Sequence, residues 1–355
     1  MTRISFYTQA EFGSKSNLKT NEAFSMVKAL KPDRVFCRDF KFAIKDDRYE
    51  RIIFGGSFLP KIVTFVNLLS KQRFSLNRLQ WKLLDFCSSL RNDNSGLLVF
   101  HPPKFKKTIM KYSDKIRVGV LTSNFKDKEM IKNCEYVIAI SSYLKDCLMN
   151  DGFCEENVFV ARQGVDTKKF YPAPHKKRGD TFIALCVADF TLQKGVEYLL
   201  EAWAQSSIKG ELWLVGNKTK EVQDLIKKYA DKRIKDVPFT KNIRDTYQRA
   251  SVFILPSSSD GWGNVVSEAM SCGLPVIVTE STGAKDAVID GENGFVIPIK
   301  HKGDIGARLF EYYQNPDLCK KHGKNARKQI RNFTWDNFEK EFRTAIENIK
   351  EREGL

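Results

Sequence analysis

The stretch SVFILPSSSDGWGNVVSEAMSCGLPVIVT (residues 251–279) runs from an apolar segment through a Ser- and Gly-rich loop and a helix-patterned segment to a second apolar segment. SVFILPS (251–257) reads as a buried strand and NVVSEAMSC (264–272) as the helix after it. Gly273 stops that helix and Pro275 prevents its continuation. PVIVT (275–279) is the next strand. Two strands joined by one helix form a βαβ unit, the building block of a parallel sheet covered on both faces.

The pattern repeats along the chain. Further strands are expected at 3–8, 33–38, 51–56, 97–102, 116–122 and 136–141, then at 157–162, 181–187, 211–216 and 294–298. Between them lie segments such as VEYLLEAWAQS and EVQDLIKKYADK, with apolar residues at i, i+3 and i+4. A chain of 355 residues is too long for one core, and the strands suffice for two doubly wound sheets. The polar, Pro-rich FYPAPHKKRGD (170–180) marks the change from one set to the other. The expected organisation is α/β, with two Rossmann-like domains, 1–168 and 169–337, facing a cleft. A last helix, 338–355, packs back on the first domain.

In such sheets ligands sit beyond the carboxyl ends of the strands, so SSDGWG is where chemistry is expected. Gly261 and Gly263 let the main chain approach a ligand closely. The amides of Gly263, Asn264 and Val265 at the helix start suit an anion such as a diphosphate, with Trp262 in the same loop. A carboxylate at Glu268 can accept two hydrogen bonds from a vicinal diol, as a ribose offers. Asp260, in the loop, can hold sugar hydroxyls. Taken singly, each acid reads better as a solvated surface group.

Composition narrows the class. Hydrophobic residues make up 42% and charged residues 29%, as in a globular protein. No stretch approaches the ~20 apolar residues of a membrane span, and MTRISFYTQAEFG lacks the apolar run of a signal peptide. The eight cysteines are scattered without a CxxC pair, which points to buried thiols in a reducing compartment rather than to disulfides or a metal site. A cytoplasmic location is expected. The net charge of +16 is concentrated in residues 1–170, which hold 30 Lys and Arg against 18 Asp and Glu. Basic, partly apolar segments at 57–86 and 101–117 suit an anionic membrane surface or, as readily, an ordinary core-facing helix.

The loop and helix resemble the E-x7-E signature of glycosyltransferase family 4, retaining enzymes of the GT-B fold. This chain reads DGWGNVVSEAMSCGLPVI, with Asp260 in place of the first Glu and Trp262 in place of Phe. RQGVDTKKFYP (162–172), LCVADFTLQKGVEYLLEAW (185–203), LWLVGN (212–217), TGAKDAVIDGENGFVIP (282–298) and FTWDNFEKEF (333–342) match further family segments in order. The resemblance covers 136–350 well and the front loosely. It implies transfer of a sugar from a UDP- or GDP-linked donor to a glycan or lipid-linked acceptor, without metal or other cofactor, in cell-surface polysaccharide or glycolipid synthesis. It implies that Glu268 binds the ribose, Asp260 the donor sugar, the Gly263–Asn264 amides the diphosphate, and Lys194 the departing phosphates.

Three positions depart from the family pattern. The Arg that accompanies the Lys is replaced by Asp189. The mid-domain His has two competing equivalents, His101 and the Ser123–Asn124 pair, of which His101 is the favoured candidate. The glycine pair after the first strand is reduced to Gly13 followed by Ser14. Two other readings stay open: a nucleotide-sugar epimerase on the same architecture, and a non-enzymatic basic protein binding nucleotides or nucleic acid. No RNP motif, zinc spacing or helix-turn-helix supports nucleic-acid binding.

Overall fold

The computed structural model describes residues 131–173, 181–229, 231–240 and 242–355, and in the front half 3–8, 11–12, 25–26, 29–30, 34–37, 39–40, 49–51, 96–101 and 106–123. The chain divides into two compact units. One comprises Met1–Ile140, Leu144–Arg162 and Phe338–Leu355; the other comprises Ser141–Tyr143 and Gln163–Asn337.

The first unit is built on a parallel sheet of strands β1 (Ile4–Thr8), β3 (Arg34–Cys37), β5 (Tyr49–Arg51), β6 (Leu97–His101), β7 (Ile116–Leu121), β8 (Tyr136–Ala139) and β9 (Val158–Val160). Their order is β5-β3-β1-β6-β7-β8-β9, and a small parallel pair joins β2 (Glu11–Phe12) to β4 (Asp39–Phe40). Leu97, Leu98, Val99 and Phe100 of β6 and all of β8 are buried, as continuous apolar runs in a two-sided parallel sheet must be. Helices α1 (Lys106–Lys111) and α2 (Ser142–Asn150) belong largely to this unit. Its closing element comes from the far end of the chain. There the buried face of the terminal helix carries Phe338, Phe342, Ala345, Ile346 and Ile349 at helical spacing. Within the same unit Tyr136 donates to Glu353, and Glu341 accepts from the Arg162 amide at 2.6 Å.

The second unit holds β10 (Phe182–Val187), β11 (Gly210–Val215), β12 (Ile234–Val237), β13 (Val252–Leu255), β14 (Val276–Thr279) and β15 (Gly294–Ile297) in one parallel sheet. The order β12-β11-β10-β13-β14-β15 is the 3-2-1-4-5-6 arrangement of a dinucleotide-binding domain. The direction of winding reverses between β10 and β13, the place where such sheets take ligands. Helices α3 (Val196–Gln205), α4 (Lys220–Tyr229), α5 (Ile243–Arg249), α6 (Asn264–Ser271), α7 (Lys302–Gln314) and α8 (Pro316–Ile330) follow, and α9 (Trp335–Arg352) leads into the first unit. Every residue of β13 and β14 is buried.

The expected strands all appear within a few residues of their sequence limits, except that beyond Arg51 the run 51–56 lies outside the described residues. Strand β12 was not expected from the sequence. Its Lys235 and Asp236 are exposed and only its ends are part-buried, so an edge strand carries no apolar run to read. The unit boundary falls at 162/163, ahead of the Pro-rich 170–180 stretch. The reason is local: Phe170 is buried edge-on against Tyr247, and Val165 bridges to Thr334, which ties 163–170 to the second unit.

Among the described residues no helix is long and apolar enough to cross a membrane, and no cluster of His, Cys, Asp or Glu could hold a metal ion. Among the described residues Cys134, Cys147, Cys154, Cys186, Cys272 and Cys319 form no disulfide. Burial pushes those of Cys134, Cys186 and Cys272 up to about 12, which keeps them unreactive.

Candidate functional site

Two loops of the second unit meet at the reversal between β10 and β13. The loop after β10 ends in a single 3-10 turn, Leu192–Lys194, closed by Gly195. Gly195 has φ +65°, and a Cβ there would lie 1.9 Å from the Pro256 carbonyl oxygen, so no other residue fits without displacing the neighbouring loop. Polar contacts fasten the loops together. The Ser258 amide and hydroxyl both donate to the Gln193 carbonyl, at 2.9 and 3.0 Å, and Gln193 Nε2 donates to the Ser259 carbonyl at 3.2 Å.

This fastening brings Lys194 to Asp260. Their Nζ and Oδ2 atoms lie 2.5 Å apart, with the side chains 24% and 18% exposed. The Asp260 main chain is held on both sides by the loop after β14: its amide donates to the Ser281 carbonyl at 2.9 Å, and the Gly283 amide donates to the Asp260 carbonyl at 2.9 Å.

Helix α6 starts beyond this loop. Gly263, at φ +83°, is its N-cap, and no side chain caps the helix start. Asn264 and Val265 are partly exposed, so unsupplemented amide donors and the positive end of the dipole lie at the carboxyl edge of the sheet. Trp262 lies on the other side of the chain. Its indole is buried against Phe333 and donates to Ser267 at 3.0 Å, and its carbonyl accepts from the Ala284 amide at 2.6 Å, so Trp262 holds the loop from inside rather than facing a ligand.

Glu268 sits one turn further into α6 and is partly exposed. Its Oε2 accepts a hydrogen bond from the Tyr247 hydroxyl at 2.8 Å. Burial pushes the Glu268 carboxyl up to about 7, opposed by the Tyr247 hydrogen bond and the Lys169 charge. Burial and the adjacent Glu268 raise the Tyr247 phenol well above its ordinary range. Tyr247 is a functional candidate missed in the sequence. Its signal was faint: one aromatic on the buried side of α5, 21 residues before its partner.

Asp189, at the departure from the family's Arg, is exposed and accepts from Asn217 Nδ2 at 3.0 Å. Lys218 does not take over as a mobile cation. Its ammonium is buried on the Leu214 and Gly216 carbonyls, at 3.1 and 2.8 Å, and on Asp236 at 2.7 Å, which uses all three of its donors. The second unit also includes Ser141–Tyr143, unanticipated at this site. Ser141 donates to the Gly261 carbonyl at 2.7 Å, and Tyr143 donates to Ser259 at 3.0 Å. His101 ends β6 opposite Thr8 in the first unit, and only its backbone is described. Gly13 lies outside the described residues, as do Ser14 and Asn124. The structure thus gathers Lys194, Gly261, Gly263, Asn264, Val265, Asp260 and Glu268 at one edge of one sheet in the second unit.

Residues 167–329 match the family model described as glycosyl transferases group 1. The chain is 27% identical over 223 residues to an uncharacterised glycosyltransferase of Methanocaldococcus jannaschii, a match covering 61% of this chain and 62% of that protein. It is 28% identical over 245 residues to the capsular polysaccharide biosynthesis glycosyltransferase CapM of Staphylococcus aureus, covering 61% and 63%. The alignments therefore span less than two thirds of either relative.

Among solved structures, HepE of Anabaena in complex with UDP superposes with a TM-score of 0.70 at 17% identity, over 97% of this chain and 99% of that one. Sucrose-phosphate synthase of Thermosynechococcus elongatus superposes with a TM-score of 0.69 at 18% identity, over 98% and 99%. At these identities the likeness establishes the fold, which is the GT-B fold of two Rossmann-like units. The reversal-point loops, the uncapped helix and the match over 167–329 fall in the same part of the chain: the second unit carries the segment that the group 1 glycosyl transferase model describes.

Proposed function

We propose that the protein is a retaining glycosyltransferase that moves a sugar from a nucleoside-diphosphate donor to a glycan or glycolipid acceptor in the synthesis of a cell-surface polysaccharide or glycolipid. The observation that carries this reading is the convergence of an ammonium (Lys194), an uncapped helix N-terminus (α6) and a diol-accepting carboxylate (Glu268) at the sheet's winding reversal. A diphosphate leaving group gains negative charge as the glycosidic bond breaks, and fixed positive dipoles and an ammonium stabilise that charge. In the proposed step the bond from the sugar's anomeric carbon to the diphosphate oxygen breaks. The acceptor hydroxyl oxygen bonds to that carbon on the same face, and its proton passes to the leaving phosphate. No protein base is assigned.

The relatives support a polysaccharide setting: CapM is named for capsular polysaccharide biosynthesis, and HepE was solved with UDP. We further propose that no metal is required, that the protein works in the cytoplasm, and that its basic front half meets an anionic membrane bearing the acceptor.

One assay tests the reading. Radiolabelled UDP- and GDP-sugars are offered in chelator to the protein with anionic vesicles and lipid-linked acceptors, and product configuration is read by NMR. The expected result is transfer in chelator with the donor's anomeric configuration kept, and protein sedimenting with the vesicles at low salt. An inverted product removes the retaining assignment, and absence of any nucleotide-sugar turnover removes the activity.

A further inference from the structure

We propose that Asp260 and Lys194 form an exchange pair: the donor's diphosphate draws Lys194 away from Asp260, and the carboxylate so released takes the hydroxyls of the transferred sugar. The inference deepens the proposed function and rests on its reading that Lys194 binds the diphosphate.

The geometry points to a pair built to open. At 2.5 Å the two side chains are in direct contact, yet both remain accessible to solvent, so a ligand can reach them. Only one partner is able to move. Asp260 has a short side chain, and its peptide is hydrogen-bonded on both sides to the loop after β14. Lys194 hangs on a flexible four-carbon stem. An incoming anion would therefore pull the ammonium over while the carboxylate stays.

Charge makes the exchange necessary. Two anions close to one ammonium repel each other, and a diphosphate carries more charge than a carboxylate. Neither of the two positions nearest the family's pattern supplies a second mobile cation: Asp189 stands where the family has its Arg, and Lys218 is committed to carbonyls and Asp236. A bare nucleoside diphosphate must break the ion pair and leaves Asp260 without a new partner. A nucleotide sugar breaks the same pair but supplies hydroxyls that donate to the carboxylate. The pair thus favours donor over spent nucleotide, and its re-formation after transfer helps expel the product.

The test is a double-mutant cycle by titration calorimetry of the full chain with UDP, GDP and ADP. In Asp260→Asn the recognised diphosphate is expected to bind about tenfold tighter than in wild type. The same substitution in a Lys194→Ala background is expected to gain less than about threefold. Unchanged or weaker binding in Asp260→Asn, or an equal gain without Lys194, overturns the exchange. Asp260→Ser provides the same comparison if the Asn variant melts early. If Lys194→Ala binds the diphosphate as well as wild type does, the reading of Lys194 as the phosphate ligand fails first, and the exchange falls with it.

Discussion

Glu268→Gln is expected to weaken binding of a ribonucleoside diphosphate at least tenfold while making the unliganded protein more stable at pH 8. Both effects have one cause. Burial holds the Glu268 carboxyl at about 7 instead of its ordinary 4.5, so ionising it in the folded chain costs free energy. For a carboxyl raised in this way the folded state binds more protons than the unfolded state between the two values. Its contribution is therefore neutral below about 4.5, becomes more unfavourable as pH rises, and is complete above about 7. The penalty avoided by glutamine is up to about 3 kcal/mol at pH 8. In a chain of this size that corresponds to a Tm higher by roughly 4 °C, with little change at pH 4.5.

Glutamine keeps an acceptor for Tyr247 but replaces the second carboxylate oxygen by a donor, so a vicinal diol loses its bidentate partner. In the wild type the affinity should rise as pH increases through about 7, because the ionised form is the acceptor. Calorimetric unfolding at both pH values and nucleotide titration across the range check the pair of effects. A Gln variant no more stable at pH 8 than wild type would remove the buried-charge account, and unchanged binding would remove the ribose assignment.

Lys194→Met is expected to lower kcat for transfer by roughly 10²–10³, the scale seen when a fixed electrostatic stabiliser of a developing anion is lost. The substitution keeps the stem and its packing but removes the ammonium that meets Asp260. Since both side chains reach solvent, the pair contributes little to folding and Tm should move by a degree or two at most. The effect belongs in kcat more than in KM, because charge on the diphosphate grows towards the transition state. Steady-state kinetics with donor varied, alongside a melting curve, checks this. A fall confined to KM would mean that Lys194 binds ground state and transition state alike.

Much of the second unit was legible because parallel strands buried on both faces must be apolar throughout. The runs in β10, β13 and β14 satisfy that demand, and Gly273, in the left-handed region at φ +76°, ends α6 where its position implied. The positions of Asp260, Gly263 and Glu268 followed from the strand–loop–helix pattern. Their couplings did not. The Lys194–Asp260 contact joins residues 66 apart, and only the pairing of β10 with β13 makes them neighbours. Tyr247 under Glu268 is likewise a product of α5 packing, invisible to local periodicity. The placement of Ser141–Tyr143 in the second unit was hidden for a different reason: they continue directly from the apolar run of β8, and nothing in their composition marks the change.

Trp262 shows how little of the ligand-facing loop is side chain. Its bulky ring is turned inward, the residues on either side are glycines, and the Gly261 and Trp262 carbonyls are taken by Ser141 and Ala284. Gly263, at φ +83°, needs glycine to hold this course, so the shape of the loop depends on that position even though every residue except proline carries an N–H. The charged groups, by contrast, are spelled out residue by residue: Lys194, Asp260 and Glu268 each owe their chemistry to one letter, and a change at any of them alters the charge of this edge of the sheet without altering its shape.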